Sequence, residues 1–146
     1  MRVRLIAACG AVILLSACAT LPVPRRDAGV VELIELFNTS APADFIARSG
    51  VPFLFAGQVL YAEADLEAVL TRLRDGGLYV DPGVLSVEPV GPAPQASRFD
   101  VAVFFEHLPP NARAIVTASN AGEVTLIVGG GTDRTPMLFG LLRGRL

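Results

Sequence analysis

The chain has 146 residues, a formal net charge of -2, 52% hydrophobic residues, two cysteines and no tryptophan. That length sustains one domain with a real core, and the apolar content excludes intrinsic disorder. A weakly acidic chain has no basic footprint for nucleic acid, and two cysteines make neither a zinc cluster nor a disulfide scaffold.

The N-terminus reads Met1-Arg2-Val3-Arg4, then an apolar run from Leu5 to Leu15, then Ser16-Ala17-Cys18. A basic start, a short apolar stretch and small residues are the three parts of an export signal. The run makes only about 16 Å of helix, roughly half of a bilayer's hydrocarbon core, so it reads as a signal rather than a permanent span. Leu15-Ser16-Ala17-Cys18 resembles the lipobox of bacterial lipoproteins. That resemblance implies cleavage between Ala17 and Cys18, a diacylglyceryl thioether on Cys18 and acylation (palmitate or a similar chain) of the new amino terminus. Ala17-Cys18-Ala19 also satisfies the small-x-small rule of ordinary signal peptidase, which would release a soluble chain. Cys9 leaves with the signal in either case, so a chain starting at Cys18 has no disulfide partner and, in an oxidising compartment, a thiol that needs modification. Two or more acyl chains anchor stably where one does not. Ala19 stands where enteric lipoproteins carry an aspartate for inner-membrane retention, which points to the periplasmic face of the outer membrane in a Gram-negative envelope.

Residues 1–17 are thus expected to be a signal peptide, 18–29 a lipidated tether and 28–146 one domain. Removing Arg2 and Arg4 leaves ten arginines against fourteen acids, a net -4 that offers anionic lipid little beyond the anchor. Pro22 and Pro24 favour an extended tether of about 3.1 Å per residue, and Arg25 and Arg26 are either head-group contacts or solvated linker charges.

A first helix is expected after Asp27, a cap, with Val30, Val31, Leu33, Ile34 and Phe37 on its apolar face. Ser40 can cap a short second helix through Pro42 to Arg48, stopped by Gly50. Val51–Phe55 and Gln58–Tyr61 are strand-like around an Ala56-Gly57 turn. Leu66, Val69, Leu70 and Leu73 follow helical spacing, with acids at the start, Arg72 and Arg74 at the end and Gly76-Gly77 as terminator. Short strands are expected at 78–80 and 84–90, then a Pro-rich loop at 91–97. Four runs, Arg98–His107, Ala112–Ala118, Glu123–Val128 and Thr135–Leu142, read as an antiparallel meander. The order gives an α+β domain, N-terminal helices packed on one side of a curved antiparallel sheet. The bent helix pair, the PFLFAGQVLYAEADLEAVLTRLRDGG segment and the ending MLFGLLRGRL resemble the cone-like roll of the nuclear transport factor 2-like (cystatin-like roll) superfamily. That resemblance implies an internal cavity, used by some members for isomerase, dehydratase or hydrolase chemistry and by others only for binding.

The single histidine, His107, excludes metal sites that need two imidazoles, and no Gly-x-Ser-x-Gly elbow is present. Gly129-Gly130-Gly131 lacks the lysine of a phosphate loop and reads as a hairpin turn. Strand parity puts His107 in one row with Phe99, Val101, Val103 and Phe105, hence inward, where it could serve as a base if Tyr61 or Tyr79 converged on it; the plain alternative is a strand-end histidine with one hydrogen bond. No catalytic set, metal or cofactor is expected. The leading reading is a lipid-anchored envelope lipoprotein, non-catalytic, whose domain binds a small apolar ligand or an envelope protein partner. A small cavity enzyme of isomerase or hydratase type using His107 is the alternative, and an accessory subunit of an envelope assembly is a third reading.

Overall fold

The computed structural model describes residues 27–94, 97–132 and 135–146. Residues 1–26, and with them the Ala17-Cys18 site and the tether, lie outside the described residues. Among the described residues, four helices and six strands follow in the order α1 (Ala28–Thr39), α2 (Pro42–Ile46), β1 (Ser49–Phe55), β2 (Gln58–Leu60), α3 (Glu63–Asp75), β3 (Val80–Pro89), α4 (Phe99–Glu106), β4 (Arg113–Ser119), β5 (Gly122–Thr132) and β6 (Thr135–Arg143). The α+β class holds.

Asp27 caps α1, its carboxylate accepting from the Val30 N–H at 3.3 Å, and it also pairs with Arg113. Ser40 does not cap α2: its hydroxyl donates to the Leu36 carbonyl at 2.6 Å and finishes α1, leaving Ala41 as an N-cap without a side-chain bond. Gly50 is not a stop but a buried residue of β1, where a Cβ would stand 2.2 Å from the Phe139 ring. Ala56 and Gly57 make the β1–β2 turn, both with positive φ, as a two-residue hairpin with the strands' twist requires.

The sheet order is β2-β1-β6-β5-β4-β3. It is mixed rather than antiparallel, because β1 runs parallel to β6. A hairpin supplies β1 and β2 early in the chain and the meander supplies β3 to β6; the two blocks join at β1 and β6, and there the directions agree. In place of the expected strands at 78–80 and 84–90 there is one strand, β3 from Val80 to Pro89, irregular between Val80 and Ser86, and Leu78 and Tyr79 precede it outside the sheet. Its irregular start is held by the buried Thr117 hydroxyl, 2.7 Å from the Asp81 carbonyl and 2.6 Å from that of Gly83.

The largest correction concerns residues 98–107, which form α4 and not a strand. β3 pairs directly with β4. The segment between them therefore leaves the sheet and lies on its second face. Val101, Phe104 and Leu108 recur at spacings of three and four and turn toward Leu54 and Ile127, whereas Phe99 is 85% exposed. An eight-residue apolar run is too short for periodicity to separate strand from buried helix. Helices consequently cover both faces. Val30, Leu33 and Ile34 of α1, Phe45 of α2 and Leu66 and Leu70 of α3 pack with Phe53, Ile115, Leu126 and Leu138 on the first face. Neighbours in β1 and β5 alternate between the two clusters, with Phe53 and Leu126 on one and Leu54 and Ile127 on the other, as a pleated strand requires.

Gly129-Gly130-Gly131 also differs from its expected role. The three residues belong to the end of β5, and Thr132 pairs with Thr135. A Cβ on Gly129 would stand 2.9 Å from the Ala112 Cα, a close backbone approach that explains the residue without a phosphate.

Candidate functional site

Between α3, β1 and the far end of the meander, the chain builds three adjoining clefts. Their common wall begins in the termination of α3. The Gly77 N–H bonds to the Arg74 carbonyl at 2.8 Å and the Leu78 N–H to the Leu73 carbonyl at 2.9 Å, with Gly77 at φ +71. This bond pair is the Schellman ending of a helix, which characteristically brings together the apolar residues that here are Leu73 and Leu78. Both line the first cleft, about 310 Å³, with Phe55, Val124, Leu141 and Arg143. A second, about 260 Å³, lies between Phe37, Phe45, Leu70, Arg74, Leu78 and Tyr79. The third, about 330 Å³, is more open and is bordered by Arg72, Leu73, Leu78 and Asn120.

Two asparagines hold the 77–80 segment that these clefts share. Asn38 donates to the Val80 carbonyl at 2.7 Å and accepts from the Val80 N–H at 3.0 Å. Asn120 does the same across the β4–β5 turn, donating to the Gly77 carbonyl at 2.7 Å and accepting from the Tyr79 N–H at 3.0 Å. The Asn120 N–H adds a bond to the Tyr79 carbonyl at 3.1 Å. Each carboxamide uses its donor and its acceptor on backbone, so the segment is fixed against α1 on one side and the meander on the other.

Register places these clefts at one end of the sheet. Arg113 pairs with Val128, and Val128 with Leu138, at the end where Asp27 enters. Val124 pairs with Arg143 at the other end. Val124 and Val128 are four residues apart on β5, about 14 Å at strand rise, so the first cleft sits at the end of the sheet opposite Asp27.

The side chains singled out from the sequence are dispersed. Tyr61 is 63% exposed beyond β2 and Tyr79 is 52% exposed at the rim of the second cleft. His107 is the exposed C-cap of α4: its N–H bonds to the Phe104 and Val103 carbonyls, and its ring Nδ1 lies 2.8 Å from the Val103 oxygen. The inward position that strand parity gave His107 disappears with the strand. None of the clefts described brings two of these three residues together. Among the described residues no group of three or more His, Cys, Asp or Glu side chains is placed to hold a metal ion, and no helix is long and apolar enough to cross a membrane.

A fourth cleft, about 380 Å³, lies on the second face beside Pro89, Pro92 and Phe105, with Glu88 on its wall. Sequence reasoning passed over Leu73, Leu78, Asn120 and Arg143. The Gly76-Gly77-Leu78 ending carried a usable signal, since a Schellman ending pairs its C″ residue with the leucine five positions back. Nothing local marks Arg143, which reaches the cleft only through β-sheet register. No protein-family model, curated protein or solved structure matches the chain.

Proposed function

We propose that the protein is a lipid-anchored domain of the bacterial cell envelope that binds a small apolar ligand without transforming it. In this reading the chain is cut between Ala17 and Cys18, Cys18 carries the acyl chains, and in an envelope with two membranes the domain sits on the periplasmic face of the outer one. The arrangement of a helix pair, a strand hairpin, a helix and a meander is the order on which the likeness to the cone-like roll rests, and the clefts lie between those helices and the sheet. α4, on the second face, is an addition to that plan.

The observation that carries the binding role is the set of adjoining clefts walled by Leu73, Leu78, Phe55 and Leu141 at the end of the sheet opposite Asp27. Their first member is at the low end of the roughly 300–1,000 Å³ range of small-molecule sites. A tether leaving at the Asp27 end would hold the domain with this cleft directed away from the membrane.

Metabolic labelling with radioactive palmitate tests the anchor. Label is expected on the wild-type chain and absent from Cys18→Ser, which should also leave the membrane fraction. An unlabelled wild type, or label that survives the substitution, overturns the lipoprotein reading.

A further inference from the structure

Charge around the clefts is one-sided in a way the whole chain is not. The sequence has fourteen acids against twelve arginines. Among the described residues, the three adjoining clefts are nevertheless bordered by Arg72, Arg74 and Arg143 and by no carboxylate. The nearest acids along the chain, Asp75 and Glu123, line none of them, and Glu123 is paired with Arg145 at 3.4 Å. Arg74 has a structural task, donating to the Phe37 carbonyl at 3.1 Å across the helix ends. Arg72 completes the last turn of α3, where positive charge balances the helix dipole. Arg143 has neither role. It stands at the end of β6 opposite Val124, is exposed, and has no ion pair or side-chain hydrogen bond among the described residues.

From this geometry we infer that the first cleft takes a single-chain amphiphile with an acidic head group, of the fatty-acid type, its chain against Leu73, Leu78 and Leu141 and its carboxylate at Arg143. The inference rests on the binding role proposed above and adds the ligand's chemistry. An apolar wall alone would accept any hydrocarbon. One cation with its donors unspent at the rim, and no acid to repel the ligand, selects a chain carrying one negative group. The volume suits one short chain and not a two-chain lipid. Arg72, on the adjoining cleft, adds to the positive potential at the mouth without contacting the head group. Each methylene that finds apolar wall should tighten binding by up to about fourfold.

The test uses the full chain in the envelope fraction of cells that express it, with a photoreactive, clickable decanoic acid and the matching decanol as probes. Crosslinked peptides are mapped by mass spectrometry. The acid is expected to label residues 72–79 and 141–143, to be displaced by unlabelled decanoate, and to label more strongly than the alcohol. Arg143→Gln should weaken labelling by the acid about fivefold or more and leave that by the alcohol unchanged. An unchanged urea midpoint for Arg143→Gln establishes that the variant is folded, as expected for a side chain with no ion pair or hydrogen bond among the described residues. Equal labelling of the cleft by acid and alcohol, or an indifferent Arg143→Gln, overturns the acidic head group while leaving an apolar binding site. Absence of label from the cleft with both probes overturns the binding role itself.

Discussion

Phe99→Ala and Phe104→Ala together test whether residues 99–106 are helical. Phe104 is 3% exposed and meets Phe105 edge-to-face with ring centroids 5.5 Å apart. Removing a buried phenylalanine costs about 3–5 kcal/mol, and the low end suits a helix lying on a sheet surface that can settle into the space. Phe99 is 85% exposed, so only about 30 Å² of a roughly 200 Å² side chain is covered. At about 25 cal/mol per Å² its loss is worth at most about 0.75 kcal/mol. With a urea m-value of about 1.5 kcal/mol/M, Phe104→Ala should lower the unfolding midpoint by about 2 M and Phe99→Ala by no more than about 0.5 M. Urea titrations followed by far-UV circular dichroism give both numbers. A strand would reverse the ranking, because there Phe99 shares the inward row and Phe104 does not. A shift of about 1 M or more for Phe99→Ala, or one below about 0.5 M for Phe104→Ala, would refute the helical packing.

Asn38→Ala should destabilise by about 2 kcal/mol, since it leaves the Val80 N–H and carbonyl without the two bonds that Asn38 supplies; hydrogen exchange at Val80 should accelerate with it, and protection equal to wild type would show that the clamp is idle. Asp27→Ala should cost about 1 kcal/mol for the lost helix cap and about 0.5 kcal/mol for the partly exposed pair with Arg113. Asp27→Asn keeps the cap acceptor and should recover most of that loss in the same urea titration; equal destabilisation by both variants would assign the effect to the ion pair alone.

Local chemistry made a large part of the fold legible. Asp27, the Ala56-Gly57 turn, the leucines of α3 and the Gly76-Gly77 ending act through bonds and contacts within a few residues, so the chain carries their outcome in short windows. Residues 98–107 defeated the same method because their apolar positions satisfy a strand row as readily as a helix face, and only the direct pairing of β3 with β4 excludes them from the sheet. His107 was misplaced as a consequence. Its cap geometry at the end of α4 depends on the helix existing, and parity arguments lose their meaning there. The clefts were hidden for a related reason. Phe55, Leu78, Val124 and Leu141 are far apart in sequence, and their meeting depends on β1 entering the sheet beside β6.

The sequence by itself determined the α+β class, most element boundaries and the expectation of a lipidated Cys18, a property read from contiguous residues and independent of any fold. Tertiary structure alone decided that the sheet is mixed, that its second face is covered by α4, and that an acidic chain presents an arginine-bordered apolar cleft. Strand register and sheet order are long-range quantities. They arise from which apolar faces can be buried together, and no local window of residues contains that information.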